Sequence, residues 1–211
     1  MKPSYIAIEG VIGAGKTTLA HKLDKSLGAS LLLEQPDENP FLPRFYRDPE
    51  GAAFSTQMTF LLQRAGQMEQ LHQRDLFAGP CVADFMFEKD RLFAELTLGQ
   101  ADFALYVSVF ERLSFEMPQP DRLIHLTAPV EVLMSRVEQR GRAYEDPIQA
   151  SYLAQLGEAY SRWFREQTRV PLIEVDAAQY DLLNCEADYA DLLAALDSDQ
   201  AVVRLSRNDL I

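Results

Sequence analysis

The stretch Gly10, Val11, Ile12, Gly13, Ala14, Gly15, Lys16, Thr17, Thr18 restricts what this chain can fold into more than any other feature. It completes the pattern G-x-x-x-x-G-K-[ST] through Gly10, Gly15, Lys16 and Thr17. An apolar run, Tyr5-Ile6-Ala7-Ile8, precedes it and reads as a strand, whereas Lys16 to Leu19 opens a helical pattern. Glycines let such a loop take positive φ and bring bare N–H groups close to an anion. The helix start adds its dipole and free N–H groups at the same place. Lys16 supplies a point charge for the outer phosphates of a nucleoside triphosphate, and the Thr17 hydroxyl suits Mg²⁺. The plain alternative, a Gly-rich turn, is weak because the motif sits between the strand and helix it requires.

The loop alone fits switches, motors and kinases equally, so the rest of the chain has to choose. It has 211 residues, 47% hydrophobic and 25% charged, which suits one compact α/β domain. No apolar stretch is long enough to span a membrane, and residues 6–8 lead into the loop rather than forming a signal segment. Two cysteines, Cys81 and Cys185, fit reduced thiols, so a cytoplasmic location and no membrane partner are expected. A net charge of −12 argues against a nucleic acid polymer as partner while leaving room for a local cationic pocket.

Strand-like runs at residues 5–9, 30–33, 81–84, 122–127 and 172–175 alternate with helical patterns at 16–26, 52–74, 91–96, 100–116, 129–139, 148–167 and 188–196. That alternation predicts a three-layer α/β/α fold of P-loop NTPase type with a central five-stranded parallel sheet. Residues 1–197 read as a single domain, with an arginine-rich lid at about 136–148. The polar, charged stretch 198–211 reads as a mobile tail. Ligands of such sheets sit at the carboxyl ends of the strands, so polar residues placed there become candidates.

Asp84 ends the third run. Beside a phosphate loop, an acid there can hold Mg²⁺ together with Thr17; capping the next helix is the alternative. Glu34 follows the second run, where a carboxylate can orient or deprotonate an attacking hydroxyl. By position alone it is barely distinguishable from a solvated loop acid. Arg136, Arg140 and Arg142 are the strongest second signal: the first two share a helix face, and Gly141 ends that helix. Three guanidiniums on one edge can neutralise a transferring phosphoryl group, and a lid would exclude water. Gln57 and Arg64, seven apart, share a face of one helix, and with Asp90 they could read a base. Local rules favour a surface helix with scattered polar residues.

Taken in order, "IEGVIGAGKTT", "LLEQPDENPFLPRFYRDP", "AAFSTQMTFLLQR", "VADFMFEKDRLFAE" and "RVEQRGRAYE" resemble the deoxyribonucleoside kinase family over roughly residues 6–181. The family includes deoxycytidine, deoxyguanosine, deoxyadenosine and mitochondrial thymidine kinases, and "ENPFLPRFY" is most similar to its bacterial purine-type members. The resemblance implies an ATP- and Mg²⁺-dependent homodimer that phosphorylates a deoxynucleoside. It implies that Glu34 activates the sugar 5′-hydroxyl and that Gln57 hydrogen-bonds the base. Arg64 would stand beside Gln57 with Asp90 as its acidic partner, and Phe93 would stack on the base. Tyr46 and Glu145 would hold the 3′-hydroxyl, and Arg136, Arg140 and Arg142 would be the lid arginines. Two departures stand out. The arginine that often follows the third strand is replaced by Phe85, so its charge is missing or supplied elsewhere. "EKDRLFAE" is also one residue shorter than some relatives between the acid and the phenylalanine.

The expected activity is therefore transfer of the γ-phosphoryl of ATP to the 5′-hydroxyl of a deoxynucleoside, purines favoured, in nucleotide salvage. A nucleoside monophosphate kinase of thymidylate-kinase type and a P-loop switch or ATPase are the competing readings.

Overall fold

The computed structural model describes residues 3–72, 79–114, 117–166 and 170–207. The expected helix ends at Arg74, Glu116 and Gln167 lie outside them. In chain order the elements are β1 (Tyr5–Gly10), α1 (Lys16–Leu27), β2 (Ser30–Leu32), α2 (Leu42–Phe45), α3 (Pro49–His72), β3 (Cys81–Ala83), α4 (Lys89–Thr97) and α5 (Gln100–Leu113). Then follow β4 (Arg122–Thr127), α6 (Val130–Arg140), α7 (Ala150–Glu166), β5 (Leu172–Asp176), α8 (Glu186–Leu196) and β6 (Val202–Leu205). A single 3₁₀ turn, Pro36–Glu38, lies between β2 and α2.

All strands pair in parallel in the order β2-β3-β1-β4-β5-β6. Every residue of β1 is buried, so helices cover both faces of the sheet at its centre, as parallel pairing demands. α1 packs over β1, β2 and β3, and α8 lies against it, where the Tyr189 hydroxyl donates to Ser26 Oγ at 2.8 Å. α3, α4, α5 and α7 pack on one another around Tyr106, Phe110 and Tyr160. A smaller core of Leu42, Phe45, Ala52 and Ala53 joins α2 to the start of α3.

The sheet has six strands rather than the expected five, and the sixth lies in the stretch read as a mobile tail. β6 pairs with β5, and Arg204 Nε reaches Glu174 Oε2 at 2.7 Å across the register. Its four residues, Val-Val-Arg-Leu, sit between polar flanks, and Val202 is exposed. Too short and too polar in context to announce a strand, the segment takes that form only because β5 offers an open edge.

Two chain reversals position the functional loops. Gly13 has φ +86°, and a Cβ there would lie 2.6 Å from the Leu133 carbonyl oxygen, so the phosphate loop closes against α6 only with glycine. Gly141, at φ 66°, ends α6 with its N–H donating to Glu138 O, which releases the arginine-bearing segment expected from the sequence.

Candidate active site

Two hollows meet along the carboxyl ends of the strands. One, of about 860 Å³, follows the phosphate loop from Gly13 to Thr18 and is walled by Arg136 and by residues 177–184 after β5. The other, of about 180 Å³, is bounded by Ile12, Glu34, Tyr46, Gln57, Arg64, Asp84, Phe93 and Glu145. Lys16, Thr17, Arg140 and Arg142 line both. Side chains expected from distant parts of the sequence thus face one shared space.

At the junction, Lys16 Nζ donates to the carbonyls of Gly10 at 2.7 Å and Val11 at 3.3 Å. Burial, then the neighbouring charge of Lys89, pushes its pKa down to about 8. The Thr17 hydroxyl lies 2.5 Å from Asp84 Oδ2, and the Glu34 N–H donates to Asp84 Oδ1 at 2.7 Å. One hydroxyl and one carboxylate beside a phosphate loop fit Mg²⁺, whose remaining ligands are phosphate oxygens and water. Among the described residues no cluster of three or more His, Cys, Asp or Glu side chains forms another metal site.

Glu34 is gripped by cations. Arg64 Nε donates to its Oε1 at 3.1 Å, a terminal nitrogen of Arg64 bonds the same oxygen, and Lys89 Nζ stands 3.4 Å away. Burial would raise the pKa of Glu34; Lys89 and Arg64 outweigh it and hold the carboxyl well below the usual range. The other terminal nitrogen of Arg64 bonds Asp90, which also accepts from the Tyr106 hydroxyl at 3.0 Å. Gln57, Arg64 and Asp90 are 3%, 4% and 0% exposed, so the local reading of this face of α3 as a solvated surface is wrong. Polar residues are buried here because they have partners or a cavity to face. The Gln57 side-chain N–H donates to Thr97 Oγ1 at 3.2 Å, while its carbonyl oxygen is buried with no partner.

Phe93 meets Tyr160 edge-on, with ring centroids 6.2 Å apart, and presents to the cavity. Tyr46 stacks on Tyr144 at 6.3 Å, and burial raises its pKa. Of the three arginines, two stand on the cavity. Arg140 clasps Glu145, with contacts at 3.0, 2.6 and 2.6 Å, and Arg142 reaches Asp37 at 3.4 Å. Arg136 is placed differently: it donates to the carbonyls of Ala14 at 3.3 Å and Ala177 at 2.8 Å, tying the phosphate loop to the loop after β5.

Sequence reasoning missed Lys89, Asp37 and Thr97. Lys89 is buried and lines the second cavity; Asp37 latches the arginine segment through the Tyr144 hydroxyl at 2.7 Å; Thr97 holds the Gln57 amide. No spacing rule marks any of them, because each is defined by a partner on another element.

A deoxynucleoside kinase family model matches residues 6–200. A deoxyguanosine kinase of Bacillus subtilis (strain 168) is 33% identical over 195 residues, covering 90% of this chain and 94% of that protein. A deoxyadenosine/deoxycytidine kinase of the same organism is 32% identical, covering 93% of each chain. A solved deoxyadenosine kinase from M. mycoides with bound dATP superposes with a TM-score of 0.79 at 26% identity, over 92% of this chain and all of that one. Match, coverage and shared fold agree along nearly the whole length, and the chain belongs to the deoxynucleoside kinase family.

Proposed function

We propose that this protein transfers the γ-phosphoryl group of ATP to the 5′-hydroxyl of a purine deoxynucleoside. The observation that carries the reading is the meeting of two hollows at Lys16, Thr17, Arg140 and Arg142. One suits a triphosphate; the other is smaller, part aromatic, and lined by Gln57. Purine preference rests on relatives named deoxyguanosine and deoxyadenosine kinases.

In this reading the phosphates lie along Gly10 to Thr18, with Thr17 and Asp84 holding Mg²⁺. The ion, when bound, neutralises charge on the phosphate oxygens. Glu34 accepts a hydrogen bond from the 5′-hydroxyl. Because two cations hold it ionised, its first task is to aim that oxygen at phosphorus; in a loose transition state the proton departs late. Gln57 offers its unpartnered carbonyl to the base, Arg64 fixes Glu34 with Asp90 behind it, and Phe93 stacks on the base. Tyr46 and Glu145 hold the sugar, while Arg140 and Arg142 close over the phosphoryl group. Arg136 acts through the phosphate loop it tethers. Most of the rate enhancement then comes from positioning and fixed charge.

A monophosphate kinase would need free cations where the acceptor's phosphate sits. Here a carboxylate, Glu34, occupies that place, Arg64 is already held by two carboxylates, and of the two cations that hold Glu34 only Lys89 has donors to spare. We read the chain as one domain that runs past the expected boundary at residue 197 to include β6, with its lid at 136–148. Leu62 and Leu105, exposed on α3 and α5, support a homodimer through the long helices, and the free Cys81 and Cys185 fit a cytoplasmic setting. The deciding experiment offers ATP, Mg²⁺ and each deoxynucleoside in turn and weighs the product. A new monophosphate with the purine substrates is expected. ADP formed equally without any nucleoside would instead mark an ATPase.

A further inference from the structure

Lys89 is the first residue of α4 and is 4% exposed, yet it lines the cavity that also holds Lys16 and Thr17. A buried ammonium is costly unless its three donors are used. Its two acidic neighbours use it poorly. Glu9 Oε1 lies 3.7 Å away and Glu34 Oε1 3.4 Å away, both beyond the 2.7–3.2 Å range of good hydrogen bonds. Neither acid depends on it alone. Glu9 accepts from the Met86 N–H at 2.7 Å, the Tyr160 hydroxyl at 2.9 Å and the Gly10 N–H at 3.3 Å. Glu34 has Arg64. Donor capacity on Lys89 is therefore left over, beside the carboxylate that faces the acceptor and next to the phosphate loop. Arg64 cannot fill that role, because its guanidinium is spread between Glu34 and Asp90.

We propose that Lys89 is a catalytic residue of the phosphoryl transfer, its ammonium contacting an oxygen of the transferring phosphoryl group opposite Lys16. The inference rests on the kinase reading given above. In the step, a lone pair of the 5′-oxygen forms the new bond to the γ-phosphorus. The bond from that phosphorus to the β,γ-bridging oxygen breaks, and its electron pair leaves with ADP. The hydroxyl proton passes to the Glu34 carboxylate and then to water. Lys89 remains an ammonium throughout, offering fixed positive charge where negative charge spreads over the phosphoryl oxygens.

The test compares wild type, Lys89→Met and Lys89→Arg by kinetics and by titration with three probes: ADP, deoxyadenosine, and a bisubstrate analogue joining adenosine and deoxyadenosine through a pentaphosphate. For Lys89→Met the expected result is a kcat lower by about 10²–10³-fold. ADP and deoxyadenosine should bind within about threefold of wild type, and the bisubstrate analogue tens of times more weakly. Lys89→Arg should restore part of the kcat. If Lys89→Met does not fold, the Glu9→Gln/Lys89→Met pair, which also removes the buried anion left behind, carries the same expectation. A kcat within threefold of wild type would overturn the role, as would equal weakening of all three probes. A wild type that phosphorylates no deoxynucleoside would instead defeat the kinase reading itself.

Discussion

Arg64 and Glu34 form a two-point contact across the smaller hollow, with Nε at 3.1 Å from Oε1 and a terminal nitrogen on the same oxygen. The remaining terminal nitrogen holds the fully buried Asp90, so one guanidinium links two carboxylates of α4 and the loop after β2. Arg64→Met should leave Asp90 with the Tyr106 hydroxyl alone. Breaking a buried pair from one side costs about 3–5 kcal/mol. Thermal melting should fall by roughly 6–20 °C for a chain of this size, and Arg64→Met/Asp90→Asn should recover part of it. A melting point unchanged in Arg64→Met would mean the pair contributes nothing to the fold.

Glu34→Gln keeps the shape of the side chain and an oxygen for Arg64 and Lys89 but removes the charge. Turnover is expected to drop by about 10²–10⁴-fold, with folding and ATP binding near normal. Steady-state kinetics alongside calorimetric titration of ATP would check it. Near-normal turnover takes Glu34 out of the mechanism.

Gln57 separates stability from recognition. Its buried carbonyl has no partner, and an orphaned acceptor costs about 1–3 kcal/mol. Gln57→Leu should therefore melt at the same temperature or higher, while KM for the preferred deoxynucleoside rises about 10–100-fold. Melting curves and a substrate titration on the same sample decide. Lower stability with unchanged KM would show that Gln57 serves packing, not the base.

His125, on β4, is 2% exposed and packs against Phe164 at 4.0 Å, and its Nδ1 has no partner. Burial, with Lys16 adding to it, pushes its pKa down to about 3. The unfolded chain takes up this proton below about pH 6.5 and the folded one does not. Stability from this group is thus full above that pH and is lost as pH falls towards 3. Between pH 6.5 and 5 the loss is about 2 kcal/mol. Melting of His125→Phe followed over the same range should decline less steeply than wild type by that amount; parallel slopes would refute it.

The phosphate loop, the parallel alternation and the arginine-bearing segment after Gly141 were legible because each is a local pattern. A glycine spacing, a run of apolar residues or a helix stop acts within a few residues of itself. Glu34 and Asp84 were legible as positions, since both follow strands whose carboxyl ends had to converge. The roles of Gln57 and Arg64 were not: on α3 alone they look like surface residues, and only α4 folding against them buries them and supplies Thr97 and Asp90. Lys89 and β6 were hidden for the same reason, one defined by Glu9 and Glu34, the other by the open edge of β5. By itself the sequence determined a glycine-rich loop between a first strand and a first helix, with acids and arginines brought to the same rim. Only the tertiary structure decided which charges touch. Arg136 ties two loops, Arg140 and Arg142 stand on the cavity, and Glu34 is gripped by cations from two helices. Such contacts are long-range and directional, and no local periodicity encodes them.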